Sequence, residues 1–235
     1  MSEPRSGVIV LPVYNESGTV IDVLDAVREI FDGPVVVVDD GSTDGTAALL
    51  AARRDIELVT HTQNVGYGAS LIDGFDAALR MGAATVVTMD CDGQHEPAHI
   101  PEFIAALEEC AICSGSRYLP ESRTVGDAPP ERQDVNRTVT EAINRATGWS
   151  LTDAFCGFKS YRAEALARLR LTEPGYAMPL ELWARAYRAG LCVVEHPVER
   201  IYFEGDRSFG QDLDDPARRL AYYMHVWERA LARED

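Results

Sequence analysis

Two carboxylate clusters stand where the chain could hold a phosphate-bearing ligand through a metal ion. Asp39-Asp40-Gly41-Ser42 follows the apolar run Val35 to Val38, and Asp90-Cys91-Asp92-Gly93-Gln94 follows Thr85 to Met89. A buried acid costs free energy unless it meets a ligand or a hydrogen-bond donor, so acids at the ends of apolar runs require a partner. In an extended chain Asp90 and Asp92 point the same way, about 7 Å apart, and one cation can bridge them. Magnesium and manganese take oxygen ligands, commonly one or two carboxylates completed by substrate phosphates. Without such a cation the acids would repel a diphosphate. Asp40, as a strand-end acid, is expected to serve a ligand more than the core.

Zinc is the competing use of this neighbourhood. His95 and His99 stand four apart beside Asp92, and Cys110-x-x-Cys113 has the spacing of half a cysteine zinc site. Against these, Pro97 and Pro101 interrupt the helix that the histidine pair would need, no second cysteine pair follows, and oxygen-rich surroundings favour a harder cation.

Strands must position the acids. Val8 to Val13 is a short apolar run leading to Tyr14 and Asn15, as in a buried strand leaving its sheet. After Ser17 the spacing turns helical, with Val20, Val23, Leu24, Val27 and Phe31 on one face, until Gly33-Pro34 breaks it before Val35 to Val38. The alternation continues with a helix over 43–53, a strand over 56–60, a helix over 69–81 and a strand over 85–89. Repeated strand–helix units predict a doubly wound sheet, in which ligands bind beyond the carboxyl ends of the strands. After Ala111 to Ser114 comes Tyr118 to Pro130, too long for an ordinary connection and expected to be a mobile loop. A helix over 132–146, a strand over 155–161, a helix over 180–189 and a strand over 192–201 follow. Leu220, Tyr223, Met224, Trp227 and Leu231 form an apolar stripe at helical spacing, read as core packing rather than a lipid anchor.

Composition limits the partners. With 235 residues, 46% hydrophobic and 26% charged, the chain can build one large α/β core. A net charge of −16, with Lys159 the only lysine, disfavours nucleic acid, whose phosphates need basic partners. Cys91, Cys110, Cys113, Cys156 and Cys192 are too few and scattered for a disulfide framework and are read as reduced thiols. No signal-like segment and no run of about 18 apolar residues stands out, so a soluble, cytoplasmic protein is expected.

Taken in order, Pro12-x-Tyr14-Asn15-Glu16, Asp39-Asp40-Gly41-Ser42, Asn64-x-Gly66-x-Gly68 and Asp90-x-Asp92-x-Gln94-His95-x-Pro97 resemble family 2 glycosyltransferases, in particular the dolichol-phosphate mannose synthase group. Gly115-Ser116-Arg117-Tyr118, Asp153-x-x-Cys156-Gly157-Phe158-Lys159 and Arg207-x-x-Gly210 extend the likeness to about residue 210. It implies a GT-A-type, Rossmann-like, mostly parallel mixed α/β sheet with helices on both faces. The domain would span 1–210, with a nucleotide-binding half over 1–117 and an acceptor half over 118–210, and a C-terminal helix over 211–235 would pack on it.

The resemblance also assigns roles. Pro12, Tyr14, Glu16, Val38, Asp40 and Asp90 would hold the nucleotide; Asp90, Asp92 and Gln94 would hold a magnesium or manganese ion. Arg117, Arg132 and Arg207 would face the diphosphate or an acceptor phosphate, for which the forked guanidinium is suited. Asp92, Arg117, Asp153, Glu181 and Arg207 would form the catalytic set, Asp153 or Glu181 being the base that a hydroxyl acceptor would need. The implied reaction is a single inverting displacement from a GDP- or UDP-linked sugar onto an acceptor left open between a hydroxyl and a phosphate, polyprenyl or other, a lipid phosphate being the case that would bring the chain to the inner membrane face. Asp212-Leu213 stands where the family commonly has Ser-Lys, and Cys156 where it commonly has Ser. A homo-oligomer is left open. A sugar nucleotidyltransferase would want a Gly-rich basic loop where Glu16 stands. A dehydrogenase would want Gly-x-Gly-x-x-Gly after the first strand. A sensor that binds nucleotide sugars without catalysis would keep the donor motifs alone.

Overall fold

The computed structural model describes residues 7–126, 130–201 and 212–232. Its first half follows the strand–helix alternation: β1 (Gly7–Val13), α1 (Val20–Ile30), β2 (Val35–Asp39), α2 (Thr46–Ala52), β3 (Glu57–Thr60), α3 (Tyr67–Arg80) and β4 (Thr85–Thr88). A 3-10 turn (Pro97–His99) then leads to α4 (Ile100–Ala106), β5 (Ile112–Ser116), β6 (Thr124–Val125) and α5 (Pro130–Thr147). The chain continues through β7 (Lys159–Arg162), α6 (Ala163–Leu166), α7 (Met178–Arg188), β8 (Val193–Pro197), β9 (Arg200–Ile201) and α8 (Pro216–Ala232).

Seven strands form one sheet in the order β3-β2-β1-β4-β7-β5-β8. β7 runs antiparallel to β4 and β5, and the other pairings are parallel, so the sheet is mixed and mostly parallel. Alternation along the buried strands divides the core. Val8, Val10, Val36 and Val38 pack with residues of α3, α5, α7 and α8, whereas Ile9, Leu11, Val35 and Val37 pack with α1 and α4 on the opposite face. The tail stripe is a packing surface: Tyr223 and Trp227 are buried, and Leu220, Met224 and Leu231 lie against the same core.

Several elements differ from the sequence expectation for local reasons. Helix α2 starts at Thr46 because Gly45 is left-handed (φ 104) and Asp44 Oδ1 accepts the Thr46 N–H at 3.1 Å, which holds the preceding residues in a turn. Pro97 and Pro101 do not interrupt a helix. Each sits in the first turn of one, where the missing N–H is not needed. The expected strand over 155–161 begins only at Lys159, because backbone N–H groups of residues 152–155 are taken by the side chains of Glu195, Asn136 and Asp153. The expected strand over 192–201 divides after Pro197 into β8 and β9.

The stretch expected as a loop carries β6, paired in parallel with β9, and the Arg200 N–H donates to the Arg123 carbonyl at 2.7 Å. Residues 127–129 of that stretch, and Arg207 and Gly210 further on, lie outside the described residues. Among the described residues no helix is long and apolar enough to cross a membrane.

Candidate active site

A cleft of about 510 Å³ opens at the carboxyl ends of β1, β2, β4 and β5. It straddles the neighbouring β1 and β4, where the strand order reverses and open α/β sheets receive ligands. Pro12, Tyr14, Glu16, Asp40, Asp90, Asp92, Gln94, Arg117 and Arg132 all line it, so most of the residues singled out in the sequence converge.

The turn after β1 is stitched to the turn after β2. Ser42 Oγ accepts the Asn15 N–H at 2.9 Å, Thr46 Oγ1 accepts the Glu16 N–H at 2.9 Å, and Asp44 Oδ2 accepts the Ser17 N–H at 3.1 Å. The hydrogen bond from the Thr46 hydroxyl, chief among these contacts, holds the Asp44 carboxyl far below the usual carboxylate range. Asp39 is buried and accepts the Ser42 N–H, a turn-forming role that needs no ligand.

Asp40 serves both cleft and fold. Oδ1 accepts the Val65 N–H at 2.9 Å and lies 2.7 Å from His61 Nδ1, and Oδ2 accepts the Gly66 N–H at 2.9 Å. These bonds add a role in the fold to the ligand role expected of this acid: it anchors the loop that enters α3. Its neighbour Gly66 explains part of the glycine motif, since φ is 115° and a Cβ there would come 2.4 Å from the Pro174 carbonyl oxygen. His61 Nε2 lies 2.9 Å from Asp73 Oδ2, and although burial opposes it, the two carboxylates raise the imidazole pKa.

Asp90 to Gln94 lies beyond the end of β4 in a bent segment, not in an extended strand. Its shape comes from Asp92 Oδ1 accepting the Gln94 N–H at 2.8 Å and His95 Nδ1 accepting the Asp90 N–H at 2.9 Å. Asp90 Oδ1 also accepts the Tyr67 hydroxyl at 3.0 Å, and burial foremost, then the Asp90 charge, raises that phenol well above its ordinary value. A Cβ on Gly157 would stand 2.4 Å from Asp90 Oδ2, so the glycine leaves room for the carboxylate. Asp90, Asp92 and Gln94 thus present oxygen donors to one cleft without a closed cage. That donor set suits a magnesium or manganese ion that keeps positions for phosphate oxygens.

The basic side is organised from below. Arg117 forks onto Asp153, with Nε donating to Oδ2 at 2.6 Å and Nη2 to Oδ1 at 3.0 Å, and the Arg117 N–H adds a third bond. Asp153 is fully buried, and it also accepts Asn136 Nδ2 at 3.1 Å and the Phe155 N–H at 3.0 Å. Burial raises its pKa, but the Arg117 charge and these bonds outweigh it and hold the carboxyl below its ordinary value. Glu195 in turn accepts the N–H groups of Thr152 and Asp153, fixing the segment that carries the acid. Lys159 is buried as well, its ammonium donating to the Cys156 carbonyl and lying 5.3 Å from the Trp183 ring, and burial lowers its pKa.

Three expectations need correction. Glu181 does not reach the cleft. Its carboxylate accepts the N–H groups of Thr172 and Glu173 and the Thr172 hydroxyl, and pairs with Arg185 at 3.0 Å, which suits a buried anchor rather than a base. Asp153 lies beneath Arg117 rather than on the cleft wall, so it acts as a positioning residue. Val38 points into the core against α3, where a Cβ on Gly74 would come 3.3 Å from its Cγ2, so its side chain does not face a nucleoside. The histidine pair also fails: His95 is buried against Phe158, whereas His99 meets Glu102 and Glu199.

Sequence reasoning missed Tyr67, Asn136, Phe155, Tyr176, Arg219 and Tyr223, which complete the cleft wall. Arg219 is buried, with Nη1 donating to the Leu213 carbonyl at 2.8 Å. The acidic residues before α8 gave no hint that its first turns reach the site, and only the packing of α8 on α5 and α7 brings Arg219 there.

Comparison with known proteins places this geometry. The family model "Glycosyl transferase family 2" matches residues 8–170. The chain is 32% identical over 200 residues to a polyprenol monophosphomannose synthase of Mycolicibacterium smegmatis, covering 81% of this chain and 75% of that protein. It is 30% identical over 212 residues to an undecaprenyl-phosphate mannosyltransferase of Micrococcus luteus, covering 86% and 87%. Among solved structures, glucosyl-3-phosphoglycerate synthase of Mycobacterium tuberculosis in complex with uridine diphosphate superposes with a TM-score of 0.72 at 22% identity, over 98% of this chain and 82% of that one. The same enzyme has been solved with Mn2+, uridine diphosphate and phosphoglyceric acid, and it superposes with a TM-score of 0.71.

Proposed function

The chain belongs to glycosyl transferase family 2 and is a glycosyltransferase of GT-A fold, and from that premise we propose that it moves a hexosyl unit from a nucleoside-diphosphate sugar to a polyprenyl phosphate. One observation carries the choice of acceptor: the two carboxylates considered as base for a hydroxyl acceptor, Asp153 and Glu181, are each paired with an arginine and neither lines the cleft. A phosphate acceptor is already ionised at neutral pH and needs no base. The cleft suits it in a second way, since Arg117, Arg132 and Arg219 share a wall with Val135, Phe155, Tyr176, Pro179 and Tyr223. Cationic forks beside apolar and aromatic surface match a phosphate joined to an isoprenoid chain. The names of the two mannosyl-transferring relatives support the same reading.

In this mechanism the turn of Pro12, Tyr14 and Glu16 and the Asp40 loop bind the nucleoside. Asp90, Asp92 and Gln94 would hold a magnesium or manganese ion, which would supply positive charge to offset that on the diphosphate leaving group. Arg117, kept in orientation by Asp153, faces the phosphates. An acceptor phosphate oxygen forms the new bond to the anomeric carbon as the bond from that carbon to the diphosphate oxygen breaks, with inversion. No proton has to be removed from the nucleophile.

The test is transfer of labelled sugar from GDP-mannose or UDP-glucose to a polyprenyl phosphate, with manganese, against the matching polyprenol. Transfer to the phosphate alone is expected. Equal transfer to the alcohol would refute the proposed acceptor.

A further inference from the structure

A second group of metal-binding side chains lies outside the cleft. His99 closes the 3-10 turn, Glu102 is on α4, and His196 is on β8 opposite Gly115 of β5. None of the three lines the cleft. Glu102 Oε2 is 2.8 Å from His99 Nδ1 and 3.2 Å from His196 Nε2, and one ligand atom from each residue lies within 4.8 Å of the others. The second ring nitrogen of His99 is 2.9 Å from Glu199 Oε2.

The arrangement has the geometry that a metal-ligating histidine requires. An outer carboxylate that accepts one ring N–H fixes the tautomer and makes the opposite nitrogen a better ligand. The His196 ring is oriented as well, meeting Phe103 edge-on at 5.2 Å between centroids and His99 at 5.5 Å. Both imidazoles keep an exposed edge, with side-chain exposures of 22% and 25%, so an ion can enter.

We propose that His99, Glu102 and His196 bind a divalent cation of the zinc class, with Glu199 as the outer carboxylate of His99 and a fourth position left to water or another oxygen. Imidazole nitrogens favour zinc over magnesium, whereas the all-oxygen set of the cleft favours the reverse. Bonds of about 2.0–2.1 Å place tetrahedral ligand atoms about 3.4 Å apart, so ligand atoms that now lie within 4.8 Å of one another need close by no more than about 1.4 Å. Exposed Glu102 and the two half-buried rings can supply that movement by side-chain rotation. The ion takes the place of the proton between His99 and Glu102. It clamps the start of α4, which follows the Asp90–Gln94 segment, to β8. Through Glu199 the clamp extends to β9 and its partner β6, beyond Arg117. The zinc pairing considered for His95 and His99 is thus replaced by one that only the fold assembles.

The test is calorimetric titration of Zn2+ into the full chain with excess Mg2+ occupying the cleft, repeated with Co2+ for its visible absorption. One zinc per chain and the intense band of four-coordinate cobalt are expected. His196→Ala and Glu102→Gln should each weaken zinc at least tenfold, Glu199→Gln by about 10–100-fold, and Asp92→Asn not at all. Absence of saturable zinc uptake would reduce the group to an ion-pair cluster held by a proton. Uptake that survives His196→Ala and disappears in Asp92→Asn would assign the zinc to the cleft. If His196→Ala fails to fold, Glu102→Gln, at an exposed position, decides between these outcomes.

Discussion

Replacing Asp40 with alanine removes three contacts at once: the acceptor for the Val65 and Gly66 N–H groups, and the Nδ1 partner of His61. A buried donor left without a partner costs about 1–3 kcal/mol, and a bond whose donor regains water costs about 1 kcal/mol. Val65 is exposed, so water can reach its amide; Gly66 is half-buried against the Pro174 carbonyl; His61 keeps Asp73. The loss therefore falls at about 2–5 kcal/mol, which for a chain of this size lowers Tm by about 5–15 °C. Asn64, Gly66 and Tyr67 line the cleft, so nucleotide affinity should fall together with stability. Asp40→Asn keeps one acceptor oxygen and the shape, and its loss should be about half as large. Thermal unfolding with and without nucleoside diphosphate and Mn2+, beside calorimetric affinities, separates the two effects. If Asp40→Ala melts within about 2 °C of the parent while affinity drops tenfold or more, the acid serves the ligand alone and the anchoring argument is wrong.

Donor binding should depend on a divalent cation, because Asp90 and Asp92 confront the diphosphate; equal nucleoside-diphosphate affinity with and without chelator, read by calorimetry, would count against this. Asp153→Asn breaks a buried, forked pair and should cost about 3–5 kcal/mol while lowering kcat; chemical denaturation and steady-state rates measure both. Because the folded pKa of Asp153 is depressed, its stabilisation is full above the unfolded value of about 3.9 and is lost as pH falls below it, so Asp153→Asn should flatten the acid limb of a Tm–pH profile. His61 has the opposite sign: its raised pKa stabilises below about 6.5 and the contribution fades as pH rises through the folded value, so the Tm gap between the parent and His61→Gln should shrink from acid to alkaline pH. Gly157→Ala should weaken manganese-dependent nucleotide binding by crowding Asp90, with little effect on metal-free thermal stability as the check on folding.

By itself the sequence determined the architecture and the acidic half of the site. Short β-branched runs alternating with helical spacing specify a doubly wound sheet by local rules, and that topology places whatever follows β1, β2 and β4 at one edge. Pro12 to Glu16, Asp40 and Asp90 to Gln94 were therefore legible, because each is fixed within a few residues of a strand end. Tertiary structure decided the remainder. Asp153 and Glu181 were indistinguishable from catalytic acids until their arginine and backbone partners appeared, since a buried carboxylate is defined by what donates to it. Val38 looked like a strand-end residue, but the pleat turns it to the core. Arg219 and Tyr223 reach the cleft only because α8 packs across α5 and α7. The histidine cluster follows the same logic: β8 is far from α4 along the chain, and only the pairing of β5 with β8 sets His196 beside His99 and Glu102. Contacts between distant segments depend on how sheet and helices close on one another, and no local spacing encodes that.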